Sequence, residues 1–259
     1  MRRGTTSVGN RSLERGLQIL RAFRPGGALK TNSELSERTG LPRSTVSRLT
    51  QALVSCGFLA SDDTAKAYRL GASILSLAET FITDSEVLPT AIPAMKALSD
   101  KVRVNVGLAV ADGDEMVYLH AVRRHDTGSA RYRTSGYRVP IETTALGRAY
   151  LAACKPEDRE RLLLLLCSRH RRNWTKISRE IHRAVEQVQN FGYCSAEWLP
   201  GVTAIATPIL SKRGVTYVIN ISLLNEHSGK SRMRDELVPE LLKLAGVLRK
   251  AISSGKVRA

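Results

Sequence analysis

The segment from residue 33 to residue 56, SELSERTGLPRSTVSRLTQALVSC, constrains the fold most strongly, because it holds two short helical patterns joined by a tight turn. On the second helix Val46, Leu49 and Leu53 recur at the spacing of one inward face. The opposite side carries short hydroxyl side chains and arginines. Such a surface can contact phosphates and base edges together in a DNA major groove. The segment therefore predicts a helix-turn-helix DNA-binding unit.

A two-stranded hairpin, or wing, is predicted directly after this helix, where FLAS and YRL flank the polar tip DDTAKA. Arg48 is the candidate for a bidentate guanine contact, and Ser44 and Thr45 are candidates for phosphate or thymine methyl. On the wing, Lys66 and Arg69 are predicted to contact phosphates, with plain solvent exposure as the alternative. The predicted DNA-contact residues are Pro42, Arg43, Ser44, Thr45, Ser47, Arg48, Gln51, Lys66 and Arg69.

Further local signals surround this unit. Leu13, Leu17, Leu20 and Phe23 recur at helical spacing and predict a first helix. Thr31 with Glu34 matches a capping box, and Gly40 is the expected helix stop. The predicted segments are a flexible basic arm over 1–11, a winged helix-turn-helix domain over 12–71, a linker helix over 72–84 and a second domain over 85–253.

The second part of the chain has the pattern of a mixed domain with an antiparallel sheet, so the fold class is predicted as α+β. Residues 102–111 alternate strictly, and the turn DGDE leads into EMVYLHAV, which together indicate a hairpin. Further strands are predicted at ARYRT, TAIATPIL and VTYVINISLL. Helices are predicted at 143–153, 157–167, 176–190 and 233–252, and Phe191 is placed in the buried stripe of the third.

Composition limits the functional classes. The 259 residues carry a net charge of +16 and 42% hydrophobic residues. This balance favours an acidic partner, with nucleic acid ahead of an anionic membrane. No apolar run approaches the roughly 20 residues of a membrane span, and no export signal is visible. The four cysteines and five histidines show no metal-ligand spacing, so no metal, no cofactor and a reduced cytoplasm are predicted.

The chain resembles the IclR family of bacterial transcriptional regulators over nearly its full length. The segments that carry the resemblance are SLERGLQILRAF, ELSERTGLPRSTVSRLTQALVSCGFL, YRLG, GDEMVYLHAV, RVPIETTALGRAYLA, NFGY, LPGVTAIATPIL and VINISLL. The resemblance implies a winged helix-turn-helix domain, a linker helix and a GAF-like effector-binding domain. It also implies homodimers or dimers of dimers on palindromic or repeated operators.

The effector site is where the chain departs from the family pattern. Glu142 replaces a histidine, Cys194 and Ser195 replace two acidic residues, Ala204 replaces a cysteine, and Asn220-Ile221-Ser222 replaces Ser-x-Ser. Asn220 and Ser222 either line a pocket or bond to each other or to loops, and Glu142 is either a pocket residue or exposed. The predicted effector residues are Arg131, Thr143, Thr144, Ala145, Cys194, Thr203, Ala204, Asn220 and Ser222.

Arg131 is included because arginine binds carboxylates bidentately. Arg133, on the same predicted strand, is interpreted as a surface residue. Together these features predict a cytoplasmic, dimeric or tetrameric regulator that binds operator DNA and a small metabolite, with an organic acid as the predicted class. RNA polymerase is a further candidate partner, and no membrane partner is expected. The alternatives are an enzyme with an appended DNA-binding domain and a ligand-blind architectural DNA-binding protein. No nucleophile and base pattern supports the enzyme.

Overall fold

The computed structural model describes residues 10–25, 27–123, 135–224 and 229–253. The chain separates into two compact units, residues 1–84 and 85–259. The predicted strand ARYRT, with Arg131 and Arg133, and most of the predicted basic arm lie outside the described residues. Within the described part, no helix is long and apolar enough to cross a membrane.

The first unit is a small helical domain with a three-stranded antiparallel sheet in the order β1-β3-β2. Its core is built from Ile19, Leu35, Val46 and Leu59, one from each of four elements. The elements are α1 (Arg11–Arg21), β1 (Lys30–Thr31), α2 (Asn32–Thr39), α3 (Arg43–Ser55), β2 (Leu59–Asp62), β3 (Ala67–Leu70) and α4 (Ser73–Thr83).

Two of the local predictions, the capping box and the helix stop, are confirmed. The predicted apolar stripe of α1 differs from the face that the structure buries. Thr31 and Glu34 form the reciprocal capping box at the start of α2, and Gly40 ends that helix with φ of 70°. On α1, however, Leu13 and Leu17 are 60% and 51% exposed. The buried positions of α1 are Gly16 and Ile19. The face of α1 that packs into the core therefore lies next to the side that carries Leu13 and Leu17.

The second unit is a six-stranded antiparallel sheet with helices on both faces, in the strand order β6-β5-β4-β9-β8-β7. The α+β prediction is confirmed by this architecture. The elements are α5 (Leu88–Val102), β4 (Asn105–Asp112), β5 (Glu115–Val122), β6 (Arg138–Pro140), α6 (Ala145–Ala153), α7 (Pro156–Arg169), α8 (Trp174–Phe191), β7 (Cys194–Leu199), β8 (Val202–Leu210), β9 (Thr216–Leu224), α9 (Gly229–Arg232), a π-helical turn (Met233–Leu237) and α10 (Val238–Ser253).

The two faces of the sheet have separate cores. Side chains of α5 and α10 pack on one face, with Ile219 and Ile221 of β9. Side chains of α6, α7 and α8 pack on the other face, with Val218 of β9. Since successive strand residues alternate between faces, Asn220 and Ser222 share the second face with Val218. The polar pair of β9 therefore lies on the α6 side of the sheet.

Three details of this unit differ from the sequence prediction. Helix α5 was not predicted, and Val102 ends it instead of starting a strand. The helix ends there because Arg103 adopts a positive φ of 53° and the Ser99 hydroxyl donates to the Val104 carbonyl oxygen at 2.7 Å. Phe191, the last residue of α8, is 64% exposed, and the final predicted helix begins with the π-helical turn before it continues as α10.

Candidate DNA-binding surface and effector site

The turn between α2 and α3 is fixed by side-chain hydrogen bonds. The Ser36 hydroxyl donates to the Leu41 carbonyl oxygen at 2.7 Å, and the Thr39 hydroxyl donates to the Leu35 carbonyl oxygen at 2.6 Å. Gly40 supplies the left-handed backbone that this turn requires. These contacts set the angle at which α3 leaves α2, so the exposed face of α3 has a defined direction.

Helix α3 presents two chemically different faces. Val46 and Thr50 are fully buried, and the Thr50 hydroxyl donates to the Val46 carbonyl oxygen at 3.0 Å. On the outer face, Arg48 and Gln51 have no hydrogen bond or ion pair with any other described residue. Among the predicted contacts, Pro42 is the N-cap, Arg43, Ser44, Arg48 and Gln51 are exposed, and Thr45 and Ser47 are partly exposed.

The hairpin of β2 and β3 carries the two cations predicted for the wing. Lys66 lies at the exposed tip with a positive φ of 47°. The Arg69 guanidinium is 59% exposed, and its Nη1 lies 4.0 Å from Asp62 Oδ2. Because this carboxylate offsets part of the Arg69 charge, Lys66 is the stronger candidate for a phosphate contact.

On the α6 side of the sheet in the second unit, Asn220 has an unusual environment. The residue is 3% exposed, and its amide makes no hydrogen bond with the described residues. It pairs across the strands with Gly107, where an added Cβ would lie 2.6 Å from Asn220 Oδ1 and 2.3 Å from Tyr118 Cε1. Gly107 therefore leaves the space that the amide and the Tyr118 ring share. A buried amide without a partner is rare in native proteins and calls for a ligand or water.

A cation lies over the Tyr118 ring. The Arg123 guanidinium carbon is 5.2 Å from the centroid of the Tyr118 ring, a cation–π distance. Tyr118 is 2% exposed and belongs to the core on the α6 side of the sheet. The amide of Asn220 and the guanidinium of Arg123 are thus both neighbours of the Tyr118 ring, and groups of these kinds suit an aromatic or hydroxylated carboxylate.

Other predicted effector residues are engaged in holding α6. The Thr144 hydroxyl donates to the Pro140 carbonyl oxygen at 2.6 Å and accepts from the Gly147 N–H at 3.2 Å, which caps the helix. The Cys194 thiol donates to the Ala145 carbonyl oxygen at 3.5 Å. Burial raises the pKa of Cys194 to about 12, so it stays a neutral thiol. These residues position the N-terminus of α6.

A network of largely buried charged side chains includes Arg148 of α6. The Arg148 guanidinium donates through Nε to the Glu142 carbonyl oxygen at 3.0 Å and through Nη2 to Glu180. The Glu142 carboxylate is 6% exposed and lies 2.8 Å from His170 Nε2, although the two groups are not aligned as a hydrogen bond. Glu142 is therefore buried, and the exposed alternative for it is wrong.

A cavity of about 440 Å³ opens beside Arg148, between α8 and the free edge of β7. The Ser195 N–H donates to Gln187 Oε1 across this edge at 3.2 Å. Thr203 is the predicted effector residue that lines the cavity. Its lining residues are Arg148, Glu180, Arg183, Ala184, Gln187, Ser195, Ala196, Glu197 and Thr203.

The predicted effector residues therefore occupy several environments. Ser222 and Ala204 are cross-strand neighbours, Asn220 lies by Gly107, and Thr203 lies at the cavity. Thr143, next to the cap of α6, is partly exposed.

Sequence reasoning missed Arg123 and Arg148. A charged residue inside the apolar run ALGRAYLA was the signal for Arg148, whereas the sequence around Arg123 indicated only a surface.

Comparison with known proteins agrees with both units. Residues 12–63 match the IclR helix-turn-helix domain, and residues 79–249 match the bacterial transcriptional regulator IclR C-terminal domain. The chain is similar to the HTH-type transcriptional regulator TsaQ1/TsaQ2 of Comamonas testosteroni, with 30% identity over 89% of this chain and 84% of that protein.

Two solved structures show the same architecture. An IclR family transcriptional regulator from Brucella abortus has 30% identity and a TM-score of 0.84, covering 96% of this chain and 97% of that one. An IclR homologue from Microbacterium hydrocarbonoxydans, complexed with 4-hydroxybenzoate, has 22% identity and a TM-score of 0.72, covering 94% of this chain and 100% of that one. The chain belongs to the IclR family of bacterial transcriptional regulators.

Proposed function

We propose that this transcriptional regulator binds operator DNA through the outer face of α3 and the wing, and that a small organic acid bound in its second unit changes its affinity for the operator. The observation that carries the DNA part is the outer face of α3, where Arg48 and Gln51 have no partner within the described chain. Arg48 is assigned to a guanine and Lys66 to a phosphate. The regulator would act in the cytoplasm, where the operator is.

Assembly into a dimer follows from this mode of binding. Two half-sites about one helical turn apart need two recognition helices, which one chain does not supply. No residue of α4 is buried within the described chain, and Leu77 and Phe81, four residues apart on one side of the helix, are 58% and 56% exposed. Exposed apolar side chains grouped in this way mark an interaction surface, and a second copy of α4 would cover them. We therefore assign α4 to the dimer interface.

The effector is assigned to the region around Asn220 on the α6 side of the sheet. Arg123 would pair with the carboxylate, and an acid that also carries a hydroxyl would donate a hydrogen bond to Asn220 Oδ1. This chemistry is consistent with the 4-hydroxybenzoate bound by the Microbacterium hydrocarbonoxydans homologue. Ligand contacts that differ between two arrangements of the dimer would shift the population that binds DNA.

A thermal-melting screen with acetate, succinate, benzoate and 4-hydroxybenzoate tests the effector assignment. A hydroxylated aromatic acid is expected to raise the melting temperature of the parent, and the same acid should change the affinity for a genomic operator fragment. An acid that binds and is consumed would instead support the enzyme alternative. The absence of any shift, with intact DNA binding, would support the ligand-blind alternative and contradict the proposal.

A further inference from the structure

A strongly basic surface of the second unit lies on α8 and the turn before it. Residues 169–183 hold six Lys and Arg but one Glu. Five of the cations, here called the α8 basic stripe, are exposed. They are Arg171, Arg172, Lys176, Arg179 and Arg183.

The stripe brings together cations that have no internal partner, whereas other arginines of this unit are paired. Arg138 is held by Asp112 and Glu115, Arg232 by Glu236. None of the five stripe residues has a hydrogen bond or ion pair with any described residue. The one Glu within 169–183, Glu180, is already engaged by Arg148. The positive charge of the stripe is therefore available to bind an anionic group outside the chain.

The geometry of the stripe suits a linear array of anions. Lys176, Arg179 and Arg183 recur at i, i+3 and i+7, which places them on one side of α8. The buried side carries Ile177 and Ile181. Seven residues of helix span about 10 Å, which is about three base pairs of duplex. The stripe is also rich in arginine, which binds phosphates bidentately.

We propose that the α8 basic stripe is a second DNA-binding surface, which contacts backbone phosphates of the duplex outside the operator half-sites without reading sequence. The proposal rests on operator binding by α3, because that binding holds duplex DNA near the second unit at high effective concentration. A phosphate backbone supplies closely spaced negative charges, which an acidic protein surface rarely does. The stripe would add affinity and salt dependence but no specificity.

The experiment compares full-length variants on a 60-bp genomic operator fragment by fluorescence anisotropy, over a salt titration. The stripe variant is Arg172→Gln/Lys176→Gln/Arg179→Gln. Its matched control removes the same charge from the helices on the opposite face of the sheet. That control is Lys96→Gln/Lys243→Gln/Lys250→Gln, three exposed lysines with no partner among the described residues.

Each phosphate contact contributes about 0.9 to the slope of log affinity against log salt. The stripe variant is therefore expected to lower that slope by about 2 to 3 and to weaken binding on the order of tenfold near 0.1 M salt. The control should leave the slope close to that of the parent. Melting curves for all variants check that the second unit is folded.

A recognition-helix variant, Arg43→Gln/Arg48→Gln, separates the two claims. If that variant binds like the parent, operator binding by α3 is wrong. If the stripe variant keeps the slope and affinity of the parent, or the control loses as much as the stripe variant does, the proposal is overturned. If the stripe variant binds like the parent, an acidic protein surface would instead be the partner of the stripe.

Discussion

Asn220 gives a prediction in which stability and ligand response change in opposite directions. Its amide is buried and makes no hydrogen bond with the described residues. A buried polar group without a partner costs about 1–3 kcal/mol, and replacing it with an apolar group of the same shape removes that cost. Leucine has the same branching and the same number of side-chain heavy atoms as asparagine. Without ligand, Asn220→Leu should therefore raise the free energy of unfolding by about 1 kcal/mol or more.

For a unit of this size, each 1 kcal/mol changes the melting temperature by roughly 2–4 °C. Differential scanning calorimetry of the ligand-free protein should show Asn220→Leu melting a few degrees above the parent. The same variant should lose the shift that an organic acid causes in the parent, because the acid no longer finds the amide. DNA binding without acid should be unchanged.

Thr207→Val is the matched control on the neighbouring strand. Thr207 is also fully buried, but its hydroxyl donates to the Gly192 carbonyl oxygen at 2.7 Å. Removing that donor takes a hydrogen bond from the partly buried Gly192 carbonyl, so Thr207→Val should lower stability by about 0.5–1.5 kcal/mol. A melting temperature for Asn220→Leu below that of the parent, with the acid-induced shift retained, would refute the reasoning.

Three further outcomes are expected. Arg48→Ala should weaken operator binding by about 1–3 kcal/mol and relax its sequence preference, whereas Lys66→Ala should weaken binding to all sequences equally. Anisotropy on operator and scrambled duplexes distinguishes the two. Phe81→Glu should yield monomers by light scattering, and a dimer of parental affinity would contradict the role of α4. Gly147→Ala should destabilise the second unit by about 1–3 kcal/mol, because its Cβ would lie 2.1 Å from the Ile141 carbonyl oxygen; an unchanged melting temperature would argue against this packing.

The sequence predicted the first unit well where short-range rules determine the structure. The capping box of Thr31 and Glu34 and the stop at Gly40 depend on residues within one turn of each other. The buried face of α1 could not be predicted in the same way. Leu13 and Leu17 fit a helical stripe as well as Ile19 does, and the position of α3 decides which side is covered.

The proposed effector region was predicted less completely, because its groups come from distant parts of the chain. Asn220 and Gly107 meet only through the register of β4 and β9. Arg148 meets Glu180 only because α6 packs on α8. The alternation of β9 did predict that Asn220 and Ser222 share a face. It could not show that Thr144 is used as a helix cap or that Arg123 lies over Tyr118.

Coupling between acid and operator can be tested without any structure of a complex, because it must be reciprocal. If the acid changes operator affinity by some factor, the operator must change acid affinity by the same factor. A tenfold change corresponds to about 1.4 kcal/mol in either measurement. Titrating a hydroxylated aromatic acid into the parent, with and without saturating operator fragment, measures this factor by calorimetry. Asn220→Leu should abolish both acid effects while operator binding persists. If the acid binds the parent equally with and without operator, the acid is a bound ligand but not an effector.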